Sequence, residues 1–239
     1  MRTACSYESE GWGKMRSLLS QVRILRSCTG ADLGKLGRSA HIGRYESDEI
    51  IAEQSDVPTS VCLVAFGRVR LKLFADNGRE LILSEVDAGG FFGDESLGGA
   101  PTRRASAFAI EDVTVVSIPA DAFASFLSEQ PRVALNFAIE LSGQLHTACD
   151  SVAAFGLLTV EERLIRTLER LAQERGSTHR DGRILHERPT HSELAAQLGA
   201  CRETVTRAFN SLSRRGLVVP SDVGLLLTRS DPGGRVAAK

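Results

Sequence analysis

Five residues within one short stretch, Arg202, Glu203, Thr206, Arg207 and Asn210, carry the clearest recognition chemistry of this 239-residue sequence. Between them Val205, Ala208, Phe209 and Leu212 recur at i, i+3, i+4 and i+7, the spacing of a buried helical stripe. The polar five therefore share the opposite face of one helix. Arginine pairs with guanine O6 and N7, glutamate accepts from the cytosine amino group, and asparagine and threonine reach other base edges. Arg215, near the end of the same helix, is placed to touch a phosphate.

Other chemistry is thinly represented. Cys5, Cys28, Cys62, Cys149 and Cys201 lie 23, 34, 87 and 52 residues apart, without the ligand spacing of zinc or iron–sulfur sites. They read as free thiols, with Cys201 in the place of a capping serine. The five histidines form no pair or His/carboxylate motif, so no metal ligand is assigned. His146 reads as a polar position in an apolar seam, and His191 as an exposed residue of a capping segment. No G-x-S-x-G, Walker loop or kinase Asp-Phe-Gly motif is present, so no catalytic residue is assigned and no enzyme is expected.

The elements that must hold the recognition face are legible nearby. Thr190-His191-Ser192-Glu193 is a capping box opening a first helix, and Gly199 marks the sharp turn before the second. Arg214-Arg215-Gly216 ends that second helix. Val218-Val219-Pro220 and Val223 to Leu227 then read as a β-pair, the wing of a winged helix-turn-helix lying near the phosphates. Upstream, Thr159 to Glu162 forms another capping box. It opens a helix with Leu164, Ile165, Leu168, Leu171 and Ala172 on one face, and Gly176 to Gly182 reads as a polar loop.

A long helix is predicted from Pro131 to Phe155. Ala134, Ala138, Leu141, Leu145, Ala148, Val152 and Phe155 alternate steps of four and three, a heptad seam suited to pairing two copies, with a buried helix of a single domain as the alternative. Gly156 is expected to interrupt it. From Ser39 to Ile118 short strands alternate with turns: Ile50–Ala52, Val61–Phe66, Val69–Leu73, Arg79–Leu83, Ser106–Ile110 and Val113–Ile118. Asn77-Gly78 predicts a hairpin with positive φ at both turn residues. The whole reads as a small antiparallel barrel or roll.

Net charge is −1, divided as −5 over residues 1–159 and +4 over 160–239, a mild sign of a polyanion at the C-terminal end. No apolar run approaches the roughly 18 residues of a membrane span, and no secretory signal is visible, so a cytoplasmic protein is expected.

Arg202-Glu203-Thr204-Val205-x-Arg207 resembles the recognition helix of the CRP/FNR superfamily of bacterial regulators. Phe91-Phe92-Gly93-Asp94-Glu95-Ser96-Leu97, followed by Arg103, is similar to its phosphate-binding cassette. The resemblance spans about residues 20 to 230. It implies an α+β chain: a cyclic-nucleotide-binding-like β-roll, a long dimerisation helix and a C-terminal winged helix-turn-helix. The boundaries expected are an arm over 1–19, a sensor domain over 20–130, helix and hinge over 131–157, and a DNA-binding domain over 158–239. It further implies a homodimeric transcription regulator that binds an inverted repeat in double-stranded DNA, with half-sites like TGTGA, and that meets RNA polymerase.

Gly93, Asp94, Glu95, Ser96, Arg103, Arg104 and Thr147 become the implied effector residues, with cyclic AMP or cyclic GMP as the implied effector. The sequence departs from the pattern at Asp94, where glutamate is usual, and at Arg104, where a hydroxyl residue is usual. Thr206 replaces a glycine. A different small ligand, no ligand at all with Arg103 and Arg104 a solvated pair, and a regulatory or scaffold protein without DNA binding are the alternatives.

Overall fold

Strands β3 (Ser60–Phe66) and β8 (Val113–Pro119) are apolar almost throughout because both of their faces are covered. In this computed structural model, which describes residues 4–228, they pair antiparallel, Val61 opposite Ile118 and Leu63 opposite Val116. With β1 (His41–Tyr45) and β6 (Phe91–Phe92) they form one sheet in the order β1-β8-β3-β6. The second sheet joins β2 (Ile50–Ala52), β4 (Arg68–Phe74), β5 (Glu80–Asp87) and β7 (Ser106–Ala109) in the order β2-β7-β4-β5. Cys62, Val64, Val69, Phe92, Ala107, Ala109, Val113 and Val115 form one buried cluster drawn from strands of both sheets. Val61, Leu63, Ala65, Val116 and Ile118 alternate with them and face helices instead. Alternation at period two thus gives each strand two apolar faces, and the roll two cores.

The β4–β5 hairpin is where the sequence expects it, but its turn differs. Only Gly78 has positive φ, +76°, while Asn77 does not. The Ala75 N–H bonds the Arg79 carbonyl at 2.9 Å around a three-residue loop, a turn closed by one left-handed glycine rather than by an Asn-Gly pair.

Helices cover the outer face of the first sheet. Helix α1 (Ala4–Ser20) occupies most of the segment expected as an arm, and Met15 and Leu19 are buried. Helix α2 (Gly30–Gly37) opens with a capping box between Thr29 and Asp32, and α3 (Ala120–Glu129) inserts Phe123 and Phe126. Helix α4 (Pro131–Leu157) sends Val133 and Phe137 into this core, with Leu141 packed against it. The Phe137 ring lies 4.6 Å from that of Phe91 and edge-on to Phe123 at 5.6 Å. Arg23 donates to Glu140 at 2.7 Å, and the Asn136 side-chain amide to the Ile24 carbonyl at 3.3 Å.

Leu141 is thereby committed to the roll. Short of its final residue, the large apolar side chains that α4 leaves exposed are Leu135, Ile139, Leu145, Val152 and Phe155, between 41% and 70% accessible. The seam read from sequence omits Leu135 and Ile139, which carry its first turns. Gly156 does not interrupt the helix: it sits in the last turn, and the break comes at Leu158-Thr159.

Contacts divide the chain into two units, at Thr147 and Ala148. The second contains helices α5 (Val160–Arg175), α6 (His191–Leu198) and α7 (Arg202–Arg214). They pack on strands β9 (Ser177–His179), β10 (Gly182–Leu185), β11 (Val218–Ser221) and β12 (Gly224–Thr228), which form one sheet in the order β11-β12-β10-β9. The polar stretch expected as a loop from Gly176 to Gly182 holds β9, paired with β10 through His179 opposite Gly182. Both capping boxes form, Thr159 with Glu162 and Thr190 with Glu193. Among the described residues no helix is long and apolar enough to cross a membrane.

Replacing Phe137 with alanine removes both ring contacts and leaves a cavity beneath α4. The expected loss is about 3–5 kcal/mol from the N-terminal unit, read by denaturant unfolding.

Candidate nucleic-acid interface and sensor cassette

Helix α7 has the two faces its sequence specifies. Val205, Ala208, Phe209 and Leu212 are buried, while Arg202, Glu203, Arg207 and Asn210 are exposed and Thr206 is half-buried. Gly199, at φ +58°, closes α6 and turns the chain toward α7. Arg207 donates from Nη2 to the Thr204 hydroxyl at 2.9 Å, which steadies a long side chain at the surface. The Glu203 carboxyl lies below its ordinary range, chiefly because its own backbone N–H bonds it, with help from Cys201 and the two neighbouring arginines. Glu203 is therefore ionised and an acceptor. Cys201 takes the cap position, and its Sγ lies 3.0 Å from the Thr204 hydroxyl, which lowers the thiol pKa.

Arg215 turns to α5 and pairs at the surface with Glu161. Arg214, which the sequence reading passed over, lines a shallow groove with Arg207, Asn210 and Ser213. Its position seven residues after Arg207 already put it on the polar face. His191 is not exposed but half-buried. Its ring packs on Phe209 at 5.1 Å, and its Nδ1 lies 2.9 Å from the Thr206 hydroxyl. The turn joining β11 to β12 carries Asp222 and Val223 rather than a cation.

In the first unit the cassette is equally definite. Gly93 has φ +80°, and a Cβ there would stand 2.7 Å from the Ser60 carbonyl, so only glycine fits. The chain then makes a 3-10 turn over Asp94–Ser96, closed by the Ser96 hydroxyl donating to the Gly93 carbonyl at 2.7 Å. Arg103 and Arg104 are not a solvated pair. Arg103 is only 8% exposed and donates from Nη1 to Glu95 at 3.0 Å, whereas Arg104 is exposed. The backbone of Arg103 is held by the Asp56 carbonyl and the Ser55 N–H. Burial raises the Asp94 carboxyl above its ordinary pKa, and the nearby Glu95 adds to the shift. Thr147 stands on α4, its hydroxyl donating to the Gly143 carbonyl at 3.1 Å. No cluster of His, Cys, Asp or Glu that could hold a metal occurs among the described residues.

Two domain families match this chain, one over each of these regions. The cyclic nucleotide-binding domain family matches residues 42–130, and the Crp-like helix-turn-helix domain family matches residues 162–229. The cyclic AMP receptor protein of Thermus thermophilus is 31% identical over 174 residues, covering 73% of this chain and 77% of its own. The chain belongs to the CRP/FNR family of transcription regulators. A second CRP/FNR relative, the CRP-like cAMP-activated global transcriptional regulator of Mycobacterium tuberculosis, is 23% identical over 218 residues, 91% of this chain and 97% of its own. Among solved structures, a CRP/FNR transcriptional regulator of Thermus thermophilus superposes with a TM-score of 0.64 at 26% identity, covering 79% of this chain and 94% of that one. The global regulator CLP of Xanthomonas campestris shares the fold, with a TM-score of 0.74 at 22% identity over 84% of this chain and all of that one. The CRP/FNR architecture of β-roll, long helix and helix-turn-helix is thus that of this chain.

Asp94 gives a pH test of the cassette. Its pKa in the fold lies above the ordinary 3.8, so the folded chain binds more protons than the unfolded one between those values. Its contribution to stability is fully present below about pH 4 and is lost as pH rises through the raised pKa. Asp94→Asn is expected to melt higher than wild type at neutral pH, with the gap closing toward pH 4 in a series of thermal melts.

Proposed function

We propose that this regulator acts as a homodimer on an inverted-repeat DNA site, with α7 of each copy in the major groove and the roll as an effector-controlled switch. The division of α7 carries the reading: a fully buried apolar stripe, and opposite it Arg202, Glu203, Arg207 and Asn210 turned to solvent. A two-fold dimer with one such helix per copy matches half-sites about 34 Å apart. The groove cation Arg214, rather than Arg215, is the phosphate contact this geometry favours.

The dimer reading is supported by α4, along which Leu135, Ile139, Leu145, Val152 and Phe155 stand open to solvent. Residues 131–157 are then the dimerisation helix, 20–130 the sensor and 158–239 the DNA-binding domain. The chain works by binding rather than catalysis, in the bacterial cytoplasm where its DNA lies, and RNA polymerase is its further partner.

Cyclic AMP or cyclic GMP is the effector class proposed. Two relatives are named for cyclic AMP, and the cassette holds a buried guanidinium beside a glycine turn. Arg103 would take the phosphate, while Asp94, Glu95 and Ser96 border it and Thr147 would come from the helix. Arg104, the next residue in the chain, is exposed at its border. A second reading, an effector-independent regulator, draws on the bond that already engages Arg103 with Glu95. Calorimetry with each nucleotide tests the cyclic-nucleotide switch: measurable heat that Arg103→Ala abolishes supports it, and no heat at millimolar ligand leaves a different small ligand or constitutive binding.

Leu145→Glu places a charge in the exposed stripe, where each buried apolar Å² is worth about 25 cal/mol. Sedimentation is expected to show a shift toward monomer, with DNA affinity falling in parallel. Arg207→Ala should cost about 1–3 kcal/mol on a site selected from random duplexes and relax preference at one base pair. A selected motif without dyad symmetry, or no enrichment with or without nucleotide, refutes the DNA reading.

A further inference from the structure

Thr206 stands on the recognition face, yet its hydroxyl is already occupied. Its Oγ1 lies 2.9 Å from the Arg202 carbonyl one turn back in α7 and 2.9 Å from Nδ1 of His191 at the start of α6. A hydroxyl has one hydrogen. If it goes to the Arg202 carbonyl, the imidazole must donate from Nδ1; if it goes to the imidazole, it is equally spent. The first arrangement makes both contacts into hydrogen bonds. It also leaves Nε2 with only a lone pair, and Nε2 is buried without a partner. An unpaired buried N–H there would be the costlier alternative. Burial first, then the charges of Arg188 and Arg202, hold the imidazole below its ordinary pKa and keep it neutral.

His191 is itself firmly placed. Its ring packs on Phe209, which is 3% exposed, and the Arg188 guanidinium lies over the Phe209 ring at 4.7 Å. The oxygen of Thr206 is thus tied to its own helix backbone and to α6. Of its two branches, Cγ2 is the one left for the groove. With no proton to give, Thr206 cannot donate to guanine O6 or N7 or to thymine O4. A methyl group meets its match in the major groove at the thymine C5-methyl.

We propose that His191 is a positioning residue for base recognition: it holds the Thr206 hydroxyl inward, so that Thr206 selects thymine at one base pair of each half-site through methyl–methyl contact. This rests on the reading of α7 as the base-reading helix, and the test separates the two.

The full-length protein is titrated, by fluorescence anisotropy, against its selected duplex with each symmetry-related pair of thymines replaced in turn by deoxyuridine. For wild type one such pair should lower affinity roughly fourfold per half-site, the worth of one buried methyl-sized group. Thr206→Val should keep that sensitivity, and Thr206→Ser should lose it. His191→Asn, which retains an N–H donor near the place of Nδ1, should preserve it. His191→Phe, which keeps a ring without the donor, should erase it while affinity for unselected duplex stays as in wild type. Indifference of the wild type to every deoxyuridine, or loss of the thymine preference in Thr206→Val, overturns the proposal and leaves sequence-specific binding intact. Failure to select any duplex overturns the reading of α7 and this proposal with it.

Discussion

The aromatic contact between Phe91 and Phe137 is the joint on which the N-terminal unit depends. Phe91 sits in the short strand that runs directly into Gly93 and the cassette, and Phe137 is buried where the long helix meets the roll. Rings 4.6 Å apart in a close-packed interior leave no slack between the two elements. Arg23 reinforces the joint from the other side. Its backbone N–H bonds the Gly89 carbonyl just upstream of β6, and its guanidinium bonds Glu140 on α4. A ligand acts on a protein only through a difference in its affinity for two shapes. Here the cassette and the helix share one packed joint, through Phe91, Phe137 and Arg23.

Electrostatics inside the cassette follow from the same closeness. A guanidinium that is 8% exposed is costly to strip of water, and Glu95 at 3.0 Å returns part of that cost. The pairing keeps Arg103 in place beside Gly93, whose missing Cβ makes the room: a side chain there would stand 3.1 Å from Nη1. Asp94, half-buried next to Glu95, is held above the ordinary carboxylate range by burial and by that neighbour.

How much of this was legible in the sequence varied with how local the cause was. The capping boxes at Thr159 and Thr190 and the stripe Val205-Ala208-Phe209-Leu212 involve residues a few positions apart, and all three form as read. Strands β3 and β8 were legible because they are buried on both faces. Helix α1 was not, since Gly11 and Gly13 and its several serines lower its propensity, and the sheet it packs on supplies what the sequence lacks. Strand β9 was hidden for a related reason: Ser177-Thr178-His179 is polar and is ordered by pairing with β10. Arg214 and Arg215, adjacent in the helix, point about 100° apart, and the pairing of Arg215 with Glu161, far off in the chain, has no local signal. Leu135 and Ile139 lie outside the heptad positions that Leu145, Val152 and Phe155 occupy, so a single repeat does not include them. The burial of Arg103 and the seating of His191 on Phe209 are tertiary facts that no spacing encodes.

The turn at Ala75–Arg79 offers something different, a handle for engineering. All its residues are exposed, the loop closes on local backbone bonds, and a side chain at Gly78 would find nothing within 4 Å. Loop tips of this kind are where chains accept foreign segments most readily, because lengthening a closed loop adds little entropic cost. A fluorophore-bearing peptide spliced between Asp76 and Asn77 would therefore ride on the sensor roll, turning events inside the roll into an optical signal.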